Sequence, residues 1–375
     1  MNSGDPADDP EATRRINMRG GTAIFEADAT YSATGPVGGE RETLPPGSSA
    51  GAYVIDRAIG AGGGGVVYAA EHQLLRRPAA VKVLRRGMVS SPIMVARFLR
   101  EATTVNLIRH PNIIDIYEFG QLDDGRPFYV MELLQGTDLG KLLKLHGRFS
   151  PEEVLELIEP VCHALEAAHK VGIVHRDLKA SNVIVADISG QRVMKLVDFG
   201  IAKLTQSEGG AAGLTEPGVL LGSVHAMSPE QVRCEPVDSR SDIYSLGVLL
   251  YQLLTGEYPF TARPEQVAWM HLEAPPPRPS QVAPVSAAID AVVLRCLEKE
   301  RRQRYQTITT LLEDMRRAVR GEEPASQIEA TGTGVGVFVE IRLLDVQEDD
   351  LDDALLEDMT AILDAGEEAL RTAGF

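Results

Sequence analysis

The chain is poor in cysteine. It has three, Cys162, Cys234 and Cys296, far apart and odd in number. No C-x-x-C pair or Cys–His set at metal-ligand spacing suggests a metal, and the apolar, helix-like neighbours point to buried free thiols in a reducing compartment. Also missing is any apolar run of about 18 residues, and the first residues lack a signal-type apolar region. The chain is therefore expected to be neither secreted nor membrane-spanning, and to be cytoplasmic. A basic excess is absent too. With 54 acidic against 37 basic side chains the formal charge is −17, which argues against generalised nucleic-acid binding and against an anionic membrane surface. Much of that charge lies in the two tails (Asp5, Asp8, Asp9, Glu11; Glu348, Asp349, Asp350, Asp352, Asp353), where such runs are solvated.

What is present reads in order along 375 residues. Residues 1–50 are rich in Gly, Pro, Ser, Thr, Asp and Glu without apolar periodicity, the composition of a disordered tail. Order is expected from Tyr53. A strand over 53–59 leads to a glycine cluster at 60–65, then to a second strand over 66–70 and a third over 79–84 with Lys82 alone inside an apolar run. Ser91 is an N-cap ahead of Pro92, and Val95, Phe98, Leu99, Ala102 and Val105 form a helical stripe with Glu101 beside it. Strands follow over 113–119 and 127–132. Ser150 to Glu153 is a capping box, and Val154, Leu157, Ile158, Val161 and Leu165 continue it as a helix. The pattern gives no account of Pro160 inside that helix, and it assigns His163 and His169 no common ligand face. Helices are expected over 242–254 and near 264–271, 286–298 and 307–319. Strands first and helices afterwards make an α+β chain.

Polar residues are densest where they are least expected. His175-Arg176-Asp177-Leu178-Lys179-Ala180-Ser181-Asn182 lies between the apolar runs 172–174 and 183–185, and Lys195-Leu196-Val197 leads into Asp198-Phe199-Gly200. Solvated turns would explain any one of these residues. They do not explain seven residue types fixed in register, about a one-in-a-billion coincidence per start point. The two runs resemble the catalytic and magnesium loops of a protein kinase, and Lys179 places the resemblance on the serine/threonine side. The rest of the chain agrees with it over about residues 53–320, and the pattern as a whole resembles the bacterial eukaryotic-like serine/threonine kinases.

The resemblance implies a bilobal fold, with a small five-stranded antiparallel lobe and one helix over about 53–132 and a mainly helical lobe over about 136–320. It implies ATP and Mg2+ as cofactors and proteins with Ser or Thr acceptors as substrates, with a homodimer for autophosphorylation as a further possibility. Ile59, Gly60, Gly62, Gly65 and Val67 would cover the nucleotide, Lys82 held by Glu101 would touch its phosphates, Met131 would stand behind the adenine, and the backbone of Glu132, Leu133 and Leu134 would bond it. Asn182 and Asp198 would hold magnesium, Lys179 would neutralise the γ-phosphate, and Asp177 would orient the acceptor hydroxyl. Glu71 is the rival partner for Lys82, and Asp138 is a candidate ribose contact. Asp242 would anchor the catalytic loop and Arg304 would pair with Glu230. His175 is expected to pack rather than to catalyse.

The segment from Ile201 to Met227 corresponds to the activation loop, with Thr205, Ser207 and Thr215 as phosphosite candidates for Arg176 to clasp. Two departures fall at its end. Ser223 stands where Thr is usual, and Ala226 replaces a common Tyr in the substrate-contacting stretch, which puts substrate selection in doubt. A catalytically silent scaffold is the alternative reading, and it would be expected to lack one of Lys82, Asp177, Asn182 or Asp198. An aminoglycoside-type small-molecule kinase would be expected to lack the glycine hairpin and Ser228-Pro229-Glu230. Residues 321–375 read as a linker, a strand over 335–344 and an acidic helix over 350–373, faintly similar to the start of a nucleotide-cyclase-like domain.

Overall fold

The computed structural model describes residues 43–62, 64–188, 190–200 and 224–325. The expectations made for residues 1–42, for the 201–223 stretch with its phosphosite candidates, and for the strand and helix beyond 326 lie outside the described residues.

The first half is an antiparallel sheet of β1 (Ser49–Ala50), β2 (Tyr53–Ala61), β3 (Gly65–His72), β4 (Pro78–Leu84), β5 (Ile116–Gln121) and β6 (Pro127–Met131). Their spatial order is β1-β2-β3-β4-β6-β5. Six strands replace the expected five because the chain folds back one step earlier than its hydrophobic pattern begins. Gly51, at φ +58°, makes the turn, and Ser49 and Ala50 pair with Val54 and Tyr53. A backbone of that hand suits glycine. The fifth strand also starts later than its apolar run. Ile113 and Ile114 are taken by the chain near Leu196, through a parallel bridge and an Ile114 N–H bond of 3.1 Å to the Leu196 carbonyl. Helix α1 (Pro92–Ile108) begins where Ser91 accepts the Met94 N–H, and it buries Phe98, Ala102, Val105 and Ile108.

The second half is mostly helical, consisting of β7 (Gly136–Asp138), α2 (Leu139–His146), α3 (Pro151–Lys170), β8 (Val183–Ile188), β9 (Gln191–Leu196), α4 (Pro229–Val232), α5 (Ser239–Thr255), α6 (Pro264–Glu273), α7 (Ala287–Cys296) and α8 (Ile308–Val319). The capping box of α3 is formed in full, with Ser150 and Glu153 bonding each other's backbone N–H groups. The helix runs on through Pro160. Helix α5 is buried on almost every side, so it is the axis on which the other helices pack. At Gly247 an added Cβ would meet the Cys296 Cβ at 2.5 Å, which is how closely α5 and α7 approach. Cys162 and Cys296 are both buried free thiols, and burial pushes Cys162 up to about 12.

Among the described residues Arg304 is the largest fully buried side chain. All five of its N–H donors are used. Two bond the Glu230 carboxylate at 2.8 and 2.9 Å, and three bond the carbonyls of Arg240, Glu298 and Lys299. A buried guanidinium is tolerable only when it is satisfied in this way.

His271 of α6 is fully buried, with Nδ1 2.8 Å from the Tyr244 hydroxyl. Burial, then the nearby charges of Lys299 and His225, hold it down to about 3. An unfolded imidazole titrates near ~6.5. Below that pH the unfolded chain binds a proton that the folded chain refuses, so acid favours unfolding. Urea titrations should show about 2 kcal/mol of stability lost between roughly pH 7 and pH 5 from this group. In His271→Gln that slope should flatten.

Candidate active site

The chemistry rests on a hairpin. β8 starts directly after Asn182 and β9 ends just before Val197, and Val183 pairs with Leu196. The turn between them is closed by the Gly190 N–H on Asp187 Oδ1 at 2.8 Å. Folding back therefore returns the chain to where it left, and Val197 N–H bonds the Asn182 carbonyl at 3.0 Å. Two stretches separated in sequence become one site.

The loop before β8 hangs from α5. Asp242 accepts the His175 and Arg176 backbone N–H groups, each at 2.8 Å, and its Oδ2 lies 2.8 Å from His169 Nε2. His169, assigned no role from sequence, thus joins the anchor, and its partner lies on another helix. His175 is fully buried with its ring 4.5 Å from that of Phe199. Burial lowers its pKa despite Asp242 and Asp177, so it packs as a neutral ring. Gly200 N–H bonds the His175 carbonyl at 2.7 Å, and a Cβ on Gly200 would meet the Asp177 Cβ at 2.8 Å. Arg176 and Asp198 have φ of 67° and 54°. Left-handed backbone at non-glycine residues is strain held by its surroundings.

Asp177, Lys179 and Asn182 face one another. Lys179 Nζ is 3.0 Å from Asp177 Oδ2, and the Asn182 amide donates to the Asp177 carbonyl at 2.9 Å. Across from them, Lys82 Nζ bonds Glu101 Oε1 and Asp198 Oδ1, each at 2.8 Å. Burial alone would depress Lys82, yet Asp198 and Glu101 hold it well above its usual range. The same ammonium, 2.8 Å away, lowers the Asp198 carboxyl. Glu71 pairs instead with Arg76 at 2.7 Å on the exposed surface, so the rival partner for Lys82 is set aside.

The glycine turn closes with Gly62 N–H on the Gly65 carbonyl at 2.9 Å, and the Gly62 carbonyl accepts from Arg85 Nε. Gly65 has no room for a side chain, since a Cβ would lie 2.5 Å from the Val83 carbonyl oxygen, whereas Gly62 faces open space. Gly60 lies on β2 opposite Val67, and Val67 lies opposite Lys82 on β4. Ile59, Val67, Met131 and Leu134 are buried in one apolar cluster.

Glu132 and the candidate ribose contact Asp138 are both tied into the protein. Glu132 lies just past β6, and its carboxylate is occupied by protein. Oε1 takes Lys195 Nζ at 2.6 Å and the Asp115 N–H at 2.9 Å, and the Glu132 N–H in turn bonds the Asp115 carbonyl at 3.0 Å. Asp138 is 1 % exposed and caps α2 by accepting the Lys141 N–H, so it is spent on the helix rather than on a ribose.

Among the described residues no group of three His, Cys, Asp or Glu forms a metal site. Asn182 and Asp198 supply an amide and a carboxylate oxygen, and the Asp198 side chain is 48 % exposed. That hard, sparse donor set fits Mg2+, which takes one or two protein oxygens and completes its shell with water and phosphate.

With this geometry in view, residues 53–315 match the protein kinase domain family. The chain belongs to that family, on its bacterial eukaryotic-like serine/threonine branch. It is 38% identical over 277 residues to the serine/threonine-protein kinase PknB of Mycobacterium tuberculosis, a match spanning 72% of this chain and 44% of the relative. A probable PknB of Corynebacterium glutamicum is also 38% identical, over 72% of this chain and 42% of that protein. The chain thus spans less than half the length of these curated relatives. The crystal structure of the Mycobacterium tuberculosis PknI kinase domain superposes with a TM-score of 0.59 at 26% identity, covering 74% of this chain and all of the other. No helix among the described residues is long and apolar enough to cross a membrane.

Sequence reasoning did not find Lys195, which is 5% exposed and ties β9 to the residue after β6. The only signal was a lysine in an apolar strand. Removing it leaves the partly buried Glu132 charge without this cation, so Lys195→Met should cost about 2 kcal/mol of unfolding free energy. Adding Glu132→Gln should recover part of that loss in the same urea titration.

Proposed function

We propose that this chain is an ATP-dependent kinase that moves the γ-phosphoryl group onto Ser or Thr hydroxyls of proteins, its own activation segment included. The observation that carries the reading is the Lys82 ammonium held between Glu101 and Asp198 at 2.8 Å each, with Asp177 and Asn182 on the neighbouring loop. Phosphoryl transfer asks for positioning and charge neutralisation more than for covalent chemistry, and each of these residues has such a task.

In this reading the backbone from Gly60 to Gly65 closes over the phosphates, and Ile59, Val67, Met131 and Leu134 enclose the adenine while the backbone of Glu132, Leu133 and Leu134 bonds it, the Glu132 N–H itself being held by the Asp115 carbonyl. Lys82 turns part of its hydrogen bonding from Asp198 to the α- and β-phosphates, and Glu101 keeps its stem in place. Asn182 and Asp198 would hold Mg2+, which when bound neutralises phosphate charge. Lys179 stands beside Asp177 and offsets charge growing on the transferred group. Asp177, already fixed by Asn182 and Lys179, accepts the hydroxyl proton late and aligns that oxygen with the phosphorus.

Two buried thiols, Cys162 and Cys296, support a reducing cytoplasmic setting. Thr205, Ser207 and Thr215 are the acceptors we assign to autophosphorylation between two copies. No observation favours a silent scaffold, since none of Lys82, Asp177, Asn182 or Asp198 is replaced.

Asp177→Asn is the test. With labelled ATP, Mg2+ and a generic protein acceptor, transfer should fall by about a hundredfold or more, with ATP binding and the unfolding midpoint nearly unchanged. Activity above roughly a tenth of wild type would refute the role of Asp177. Mass spectrometry of both proteins would then identify the phosphorylated residues.

A further inference from the structure

Lys82 has a partner across the sheet that the mechanism does not use. β4 and β6 pair so that Lys82 stands directly opposite Tyr129, which sets the two side chains next to each other on one face. Tyr129 is 2% exposed. Its hydroxyl lies 3.0 Å from Glu101 Oε1, the same oxygen that receives Lys82 Nζ, and the ammonium is 5.6 Å from the ring centroid. The ring is held on two sides, by Phe98 of α1 at 4.9 Å and by Phe119 of β5 at 6.4 Å. A small cavity lined by Tyr129, Glu101, Val105, Ile116 and Asp198 adjoins it. Burial pushes the phenol well above its ordinary pKa, so the hydroxyl is a donor and the carboxylate its acceptor.

We propose that Tyr129 is a positioning residue for phosphoryl transfer, its hydroxyl holding the Glu101 carboxylate, and through it Lys82, in place for the nucleotide. The inference rests on the kinase reading above and extends it to a residue that the catalytic motifs do not contain. The physical argument concerns what happens when ATP arrives. Lys82 now divides its donors between Glu101 and Asp198. Once the phosphates draw the ammonium from Asp198, Lys82 shifts with them, and a carboxylate on a helix facing a cavity, held by that moving ammonium alone, would be free to turn away. A second donor fixed on the sheet prevents that, because it does not depend on where Lys82 points. Tyr129 thereby links β6 to α1 through the carboxylate that the catalytic lysine needs.

Tyr129→Phe removes the hydroxyl and keeps the ring between Phe98 and Phe119. In the full chain with Mg–ATP, the KM for ATP should rise about tenfold while kcat changes by less than about threefold, the effect of losing one hydrogen bond to a charged group. Calorimetric Mg–ATP affinity should weaken in parallel. A purely structural role would instead lower the active fraction, and so kcat, at unchanged KM. The groups facing Glu101 are Lys82, Asp198 and Tyr129. Losing the phenol donor makes Glu101 easier to protonate, so the acid limb of kcat/KM should move to higher pH. In a Glu101→Gln background the Tyr129→Phe change should have much less effect on Mg–ATP affinity. Unchanged KM and affinity, or a fall in kcat alone, overturns the proposal. A wild type that binds Mg–ATP without transferring phosphate would overturn the kinase reading instead, and the affinity comparison would still decide Tyr129.

Discussion

An ammonium group removed from water organises this structure. Lys82 is 9% exposed, and an unpaired cation at that depth costs several kcal/mol. Two carboxylates offset the cost, and they come from separate parts of the chain, Glu101 from α1 and Asp198 from the turn after β9. The sheet, the helix and the hairpin must therefore all be in place before the charge is satisfied. In return, any arrangement that satisfies the charge also aligns the residues that would handle a triphosphate. Stability and site geometry share one interaction, which is why the pair is more informative than either residue alone.

A second constraint acts on the backbone. Arg176 and Asp198 hold left-handed conformations that their side chains disfavour. The contacts around them supply the compensation. Asp242 grips the Arg176 N–H, Gln231 donates to the Arg176 carbonyl at 2.8 Å, and Gly200 fits against Asp177 where a larger residue would not. Strain of this kind persists only where surrounding structure over-determines it. The buried Glu230–Arg304 pair ties the end of that surrounding structure to α5 through Ser241.

Much of this was legible in the sequence, for a physical reason. Asp177, Lys179 and Asn182 share one short loop, so their spacing along the chain is nearly their spacing in space. Asp198 was placed by the resemblance of Asp198-Phe199-Gly200 to a magnesium loop, and the pairing of β8 with β9 is what brings it back beside Asn182. The pairs Lys82–Glu101, Asp242 with the loop backbone, and Glu230–Arg304 were legible only through family resemblance, since each joins distant segments. Where neither route applied the reading stopped. Period-2 alternation in β6 says which face Tyr129 occupies but not that a carboxylate waits there. His169 was judged against His163 on its own helix, while its partner sits on α5. The two-residue strand β1 is too short to leave a pattern, and the use of the Glu132 carboxylate is decided by Lys195, 63 residues further on, whereas the Asp138 cap on Lys141 is local and was passed over in favour of a ligand role.

The attachment of the catalytic loop to α5 has a consequence for how the molecule loosens. The amides of His175 and Arg176 end on a carboxylate that is 0% exposed, in the helix with the least access to solvent. Local fraying at loops or chain ends cannot release them. Their exchange with deuterated solvent is tied to the opening of the whole helical half, so warming removes the site and the fold in a single cooperative step, with no softened and half-working state between.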